Sequence, residues 1–322
     1  MSLKAVFNTW SGAFFNPGGG EVQLLQTKDY LEKAGVQVDF YDQWNPERNP
    51  DIFHQFSIQQ GGEFPIREYK ALGKKVALST ILWAELPKDS EFYRHIRELF
   101  LLSDILLTNS DAESRKLARA YEVDLGKFHK TRNAIPAPYL NTKTSRNFRE
   151  TYNIQGEFVL SVANVDRRKN THALNQSCKK LGKKLVLIGH IRDIPYFDEF
   201  KSSNPDLLYL GPISDVEMLK SAYQQCDLYA LPSLCETPGI AALEAASQGA
   251  KIVITNEGPT EEYFGSHVTY VDPHDHDGIT RGIASELSRS RNKSVIIAHV
   301  TSEYTWDKTA QDVLAGYRKV LA

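Results

Sequence analysis

Short apolar runs bounded by turn residues alternate along this chain with longer amphipathic stretches, a pattern that predicts β-α-β units and a mostly parallel sheet. In the first half, strands are expected at Lys4–Asn8, Gln37–Tyr41, Ile52–Phe56, Lys75–Thr80 and Asp104–Thr108, with helical patterns such as Val22–Ala34 and Ala112–Tyr121 between them. From Lys127 to Arg149 the sequence becomes polar and turn-rich, and apolar alternation resumes at Phe158. A domain boundary is expected in that stretch. The second half then predicts strands at Phe158–Ala163, Lys184–Ile188, Leu207–Leu210, Asp227–Leu231, Lys251–Thr255 and Thr269–Val271, with a last helix over Asp307–Leu321 behind Trp306. Two doubly wound α/β halves result.

A length of 322 residues allows two ordinary domains flanking a cleft. Lysine plus arginine number 38 against 40 for aspartate plus glutamate, so the net charge of -2 disfavours dedicated nucleic-acid binding. Cys178, Cys226 and Cys235 lack paired spacing and read as reduced core thiols of a cytoplasmic protein. The opening MSLKAVFNTW is too short in apolar residues for an export signal or a spanning helix. Helix Glu91–Leu102, with Arg94, His95 and Arg97 beside aromatic residues, offers a peripheral contact with an anionic membrane surface; a solvated face with inward aromatics explains it equally well.

The segment DLYALPSLCETPGIAALEAASQGAKIVIT reads as buried strand, loop, helix, glycine stop and buried strand. Thr237 is expected to cap the helix, Pro238 to be its first residue and Gly249 to end it. The amides of Gly239 and Ile240 would then lie in the first turn, where an anion binds. Glu236 and Glu244 bracket this helix start. Each can accept hydrogen bonds from sugar hydroxyls, and the apolar neighbours of Glu244 call for a polar partner.

With these residues in view, ETPGIAALEAASQGA resembles the paired-glutamate signature of the retaining GT-B glycosyltransferases of glycosyltransferase family 4. NPGGGEVQLLQTKDYLEKAGVQVDFY is similar to the family's N-terminal glycine loop and first helix, SDILLTNSDAESRKL to its late N-terminal strand and helix, FVLSVANVDRRKN to the first strand and basic loop of its donor domain, and YTWDKTAQDVLAGYRKVL to its C-terminal helix. The resemblance implies the GT-B fold: an acceptor-binding Rossmann-like domain over 1–148, a donor-binding one over 149–304, and residues 305–322 crossing back to the first. It implies a metal-independent transfer of a hexosyl unit from a UDP- or GDP-sugar to a saccharide or lipid-linked acceptor, with no cofactor.

The resemblance also assigns roles. Lys169 and Glu236 would be catalytic, the lysine stabilising the departing diphosphate and Glu236 meeting the donor sugar. Glu244 would hold the ribose, Thr237, Pro238, Gly239 and Ile240 the diphosphate, and Gly211 and Ile213 the base. Gly18, Gly19, Gly20, Asn164 and Arg168 complete the expected donor site. Asn164 stands where the family usually has arginine, leaving Arg167 or Arg168 as second cation. His54, Thr80 and Trp83 are the acceptor candidates, since VALSTILWAE lacks the family's usual histidine. That gap keeps open a sugar-nucleotide-binding protein that transfers little or nothing. A nicotinamide-dependent dehydrogenase is the rival from another class, but the three glycines do not give G-x-G-x-x-G. The one D-x-D pattern, Asp275 and Asp277, reads as helix capping, and no metal is implied.

Overall fold

The computed structural model describes residues 3–15, 18–59 and 61–322, which form two compact units. The first unit comprises residues up to Ala134 together with Tyr304–Ala322; the second is Ile135–Glu303.

In the first unit the strands are β1 (Lys4–Asn8), β2 (Gln37–Phe40), β3 (Ile52–Phe56), β4 (Lys75–Ser79), β5 (Ile105–Thr108) and β6 (Phe128–Lys130). They form one parallel sheet in the order β2-β1-β3-β4-β5-β6. Helices α1 (Gly19–Lys33), α2 (Glu63–Ala71), α3 (Glu91–Leu102) and α4 (Asp111–Tyr121) connect them. Because helices cover both faces, successive side chains on a strand enter different cores, which is why the strands read as continuous apolar runs. Val6, Phe53, Val76, Leu78 and Leu106 pack on one face beneath α2, α3 and α4. Ala5, Phe7, Ile52, Ala77 and Leu107 pack on the other beneath Leu24 and Leu31 of α1.

The final helix of the chain, numbered α13 (Trp306–Leu321), closes that second face with Ala310, Val313 and Tyr317, a stripe at helical spacing. Thr305 caps it. Burying Val313 and Tyr317 is worth roughly 1.5–3 kcal/mol each.

The second unit contains β7 (Phe158–Val162), β8 (Lys184–Ile188), β9 (Leu207–Tyr209), β10 (Leu228–Leu231), β11 (Ile252–Thr255) and β12 (Thr269–Val271), all parallel in the order β12-β11-β10-β7-β8-β9. Its helices are α5 (Phe148–Thr151), α6 (Thr171–Lys180), α7 (Ile194–Phe200), α8 (Val216–Gln225), α9 (Ile240–Ser247), α10 (Thr260–Phe264), α11 (His276–Ser288) and α12 (Lys293–Glu303). Val159, Leu187, Leu228 and Val253 pack against α6, α7 and α11, while α9 packs between α8 and α12.

Every strand expected from sequence is present to within a residue at either end, and β6 is an addition. It spans three residues of a polar stretch, too few to show alternation. The division after Ala134 falls earlier than the expected end at 148. Residues 135–148 belong to the second unit because they are tied to α8 and α9: the Gln248 amide donates to the Tyr139 carbonyl at 2.9 Å, and Lys220 Nζ donates to Asn141 Oδ1 at 2.9 Å.

Helix α3 has its expected bounds and buries Tyr93, Ile96, Leu99 and Phe100. Arg94, His95 and Arg97 contact the carbonyls of Asp89, Ile58 and Tyr121, so the inward-aromatic reading describes this helix. Among the described residues no helix is long and apolar enough to cross a membrane. Cys178 and Cys226 are buried, which pushes both thiols up to about 12, whereas Cys235 is only half-buried.

Candidate active site in the second unit

The strand order of the second unit reverses between β7 and β10, and the loops leaving their carboxyl ends separate there. Crevices of this kind are where open α/β sheets place ligands. The loop after β7 carries Asn164, Arg168 and Lys169; the loop after β10 carries Glu236, Thr237, Pro238 and Gly239. Three hydrogen bonds hold these loops in place. The Leu234 amide donates to the Arg168 carbonyl at 2.7 Å, and Asn170 Nδ2 donates to the carbonyls of Pro232 and Pro273 at 3.1 and 2.8 Å.

Across this junction Lys169 Nζ lies 2.6 Å from Glu236 Oε1. Ser233 Oγ donates to the same oxygen at 2.5 Å. Glu236 is 5% exposed, and a carboxylate so enclosed persists only with such partners. Its backbone is pinned as well, because the Glu236 amide donates to the Glu257 carbonyl at 3.1 Å. Gly258 passes close beside it. A Cβ there would sit 2.2 Å from the Glu236 carbonyl oxygen, and its φ of +119° is one that side chains resist.

Helix α9 begins at Ile240 and not at the expected Thr237–Pro238 pair. Gly239, at φ +88° and ψ +82°, is the residue before the helix, and no side chain caps it. The two preceding residues are spent in the turn that tucks Glu236 beneath the helix start. Glu236 Oε2 would lie 3.3 Å from a Cβ on Gly239. The amides heading the helix are consequently those of Ile240 and Ala241, since Ala242 and Leu243 both donate to the Gly239 carbonyl. A carboxylate at this positive end of the helix is favourably placed. The stop at Gly249 is as expected, with φ +77° and its amide on the Ala246 carbonyl.

Glu244 lies in the second turn of α9, and its sequence-based need for a polar partner is met by Tyr223, whose hydroxyl donates to Oε2 at 2.9 Å. Burial raises its carboxyl to about 7, and the tyrosine bond opposes that rise. Tyr139 and Tyr229 stand around Tyr223 with ring centroids 6.2 and 5.8 Å away. Burial and the neighbouring carboxylates hold the phenols of Tyr223 and Tyr229 well above their ordinary range.

The remaining donor candidates occupy the same edge of the sheet with looser ties. Arg168 is exposed and pairs with Asp166 at 3.0 Å. Asn164 is half-buried between Ala163 and Val165, whose amides bind the carbonyls of Ile188 and His190. Gly211, at φ +71°, follows β9 and accepts from the Gly189 amide at 3.0 Å, and Ile213 beyond it is half-buried. Asp275 caps α11 by accepting from the Gly278 amide at 2.8 Å, as the capping reading expected, whereas Asp277 lies in the first turn and pairs with Lys180. Ser233, Tyr223, Asn170 and Gly258 were not anticipated. Only Ser233, three residues before Glu236, carried a local signal.

The candidates in the first unit stand differently. Gly18, Gly19 and Gly20 do not form an open loop: α1 already starts at Gly19, and the Gly18 amide donates to Glu21 Oε2 at 2.7 Å. Asn16 and Pro17 of the same motif lie outside the described residues. His54 has 0% exposure, its Nδ1 2.6 Å from the Tyr317 hydroxyl and its Nε2 2.9 Å from Ser79 Oγ. Burial lowers it to about 3, so it is a neutral core residue. Thr80 is also fully buried and donates to Glu113 Oε1 at 2.6 Å. Neither can touch an acceptor, because no surface of either is open. Trp83 is half-buried, with Lys116 Nζ 4.6 Å from its ring centre.

Known proteins resemble this chain in sequence and in fold. Residues 144–299 match the family described as glycosyl transferases group 1. The chain is 22% identical over 254 residues to the serotype-specific mannosyltransferase WbdA of Escherichia coli, covering 73% of this chain but only 31% of that protein. It thus spans about a third of the length of that relative. It is also 22% identical to the O-antigen chain mannosyltransferase B of Escherichia coli, over 92% of this chain and 77% of that one. Among solved structures, a glycosyltransferase from Rickettsia africae superposes with a TM-score of 0.81 at 15% identity, covering 99% of both chains. HepE from Anabaena, in complex with UDP-glucose, superposes at 0.78 with 15% identity, over 98% of this chain and all of that one. The pair of six-stranded parallel units is that of the GT-B fold, and the second unit carries the match to the glycosyl transferases group 1.

Proposed function

We propose that this chain is a retaining glycosyltransferase that moves a hexosyl unit from a UDP- or GDP-sugar to a saccharide or lipid-linked acceptor, without a metal, in surface polysaccharide or glycolipid assembly at the cytoplasmic side. The observation that carries the reading is the Lys169–Glu236 pair beside the start of α9, at the point where the strand order of the second unit reverses. A buried carboxylate, a partnered lysine and helix amides converge there, which suits a sugar hydroxyl, a diphosphate and the charge that grows on it. The mannosyltransferase relatives and the UDP-glucose complex of HepE support the substrate class.

In this reading Lys169 turns from Glu236 to the diphosphate when donor binds, freeing Glu236 for hydroxyls of the transferred sugar. The amides of Ile240 and Ala241 take the distal phosphate oxygens, and Glu244 accepts from the ribose diol. The acceptor hydroxyl attacks the anomeric carbon on the face the diphosphate leaves. As the glycosidic bond to the diphosphate breaks, a diphosphate oxygen takes the acceptor proton. A covalent route would need a carboxylate directed at the anomeric carbon, whereas in this reading Glu236 is occupied by the hydroxyls of the transferred sugar while Ser233 still donates to it.

One observation favours the second reading, a sugar-nucleotide binder without transfer: His54 is sealed in the core and offers no exposed base. Proton NMR of reactions containing EDTA, an α-linked UDP- or GDP-hexose and an oligosaccharide acceptor separates the two. The proposal expects an α-linked product and its loss in Glu236→Gln. A β-linked product removes retention, and nucleotide binding with no product from any acceptor leaves the binder.

A further inference from the structure

The first unit has a cavity of its own at the carboxyl ends of three adjacent strands. From β1 the sheet continues to β2 on one side and to β3 on the other, so the loops after β1 and β3 diverge above it. This is the switch point of that sheet, a ligand position by the same rule that applies to the second unit. The cavity holds about 720 Å³ and is lined by Asn8 at the end of β1 and Ser11 beyond it, Tyr41, Asp42 and Trp44 after β2, and Phe64 on α2. A second cavity of about 330 Å³ shares Tyr41, Gln43 and Phe64 with it and extends to Glu47, Arg48 and Glu68. Together they make one elongated groove.

Two of its aromatic rings are left bare by the fold, Trp44 at 87% and Phe64 at 63% exposure. The Trp44 amide donates to Asp42 Oδ1 at 2.8 Å, a turn that fixes where the indole leaves the strand end. Large exposed rings rimmed by polar groups mark binding surfaces. Flat rings suit the C–H faces of sugar residues, and the amides, hydroxyl and carboxylate of Asn8, Gln43, Ser11 and Asp42 suit sugar hydroxyls.

Charge narrows the ligand further. With Glu47 paired to Lys4, the groove presents the carboxylates of Asp42 and Glu68 against the guanidinium of Arg48 among its described lining residues. The nearby Lys4 is already held by Glu47 and by Asp39. Such a surface repels a phosphate or an anionic headgroup and tolerates an uncharged glycan.

We infer that this groove binds a neutral oligosaccharide, the non-reacting length of a glycan acceptor, through Trp44 and Phe64. Its role as acceptor site rests on the transferase reading above. The test is saturation-transfer NMR on the full chain with mannotetraose and maltotetraose, beside farnesyl diphosphate and phosphatidylglycerol vesicles, with thermal shifts by UDP and GDP read on the same samples. A tetrasaccharide should bind, about tenfold more weakly in Trp44→Ala and Phe64→Ala, and close to normally in Trp44→Phe, while the nucleotide shift is unchanged. Both side chains are largely solvent-exposed, and unchanged melting of the unliganded variants checks that they fold. Sugar binding that survives both alanine variants, no binding of either tetrasaccharide, or preference for the diphosphate or the vesicles overturns the inference. A chain that binds nucleotide but no tetrasaccharide loses the groove and keeps the donor site. One that binds tetrasaccharide through these rings but no nucleotide keeps the groove as a sugar site and loses the transferase reading.

Discussion

Glu244 is held in a setting that makes its charge conditional. Burial among Tyr223, Tyr139 and Tyr229 lifts its carboxyl from 4.5 to about 7. An acid whose folded value is raised contributes stability that is fully present below its unfolded value and is lost as pH rises through the folded one. Unliganded protein should therefore lose this contribution between about pH 4.5 and about 7, and Glu244→Gln should flatten that part of the stability curve in urea titrations. A ribose diol donates to the ionised form, so nucleotide affinity should rise as pH climbs through about 7 in the wild type and stay level in the variant. Tyr223→Phe removes the donor that stabilises the charged form. It should cost about 1.5–3 kcal/mol above pH 7 and move the affinity midpoint to higher pH.

The Lys169–Glu236 pair obeys a different rule. Removing one member leaves the other charged and enclosed, so Lys169→Ala should lower stability by about 2–3 kcal/mol. Glu236→Gln keeps the shape without the charge and should cost less. Differential scanning fluorimetry ranks the two, and equal losses would mean that the pair is not felt by the fold.

At the scale of elements, alternation between apolar runs and amphipathic stretches was enough to place the strands, because both faces of each sheet are covered and leave an unmistakable apolar signal. What escaped was short or depended on distant partners. β6 has three residues. The start of α9 looked like Thr-Pro capping, but the chain needed those residues to turn Glu236 inward, and Gly239 alone could adopt the required conformation. His54 and Thr80 lie on the right sheet edge by sequence, yet their partners, Tyr317 and Glu113, are 263 and 33 residues away. Nothing local shows that they are sealed.

The last helix makes the same point in reverse. Its span behind Trp306 was legible, but neither its buried stripe of Ala310, Val313 and Tyr317 nor that Gly316 lets it approach the sheet. A Cβ there would meet His129, Leu107 and Ile105 at 3.0–3.3 Å. Gly316→Val should overpack this seam and cost about 1–3 kcal/mol in chemical denaturation. On the opposite, exposed side of the same helix, Gln311→Ala should change stability by less than about 0.5 kcal/mol in the same measurement.

For the molecule as a whole, a near-neutral charge and two α/β units leave many functions open, and the site narrows them. The two glutamates and the lysine were readable by resemblance. Their mutual arrangement was not, since Lys169 and Glu236 were expected on different parts of the donor and the structure joins them. No local signal announced the aromatic groove either, because its residues follow three different strands and meet only when the sheet forms.

The central claim is that the second unit binds a nucleoside diphosphate sugar through Lys169, Glu236 and Glu244 without a metal. Isothermal titration calorimetry in EDTA with UDP, GDP, ADP, their hexose conjugates and NAD tests it most directly, on wild type, Lys169→Ala and Glu244→Gln. The account predicts binding of one diphosphate class, weakened at least about tenfold in both variants. Binding of NAD alone, of no nucleotide, or of a nucleotide whose affinity neither variant changes would contradict it.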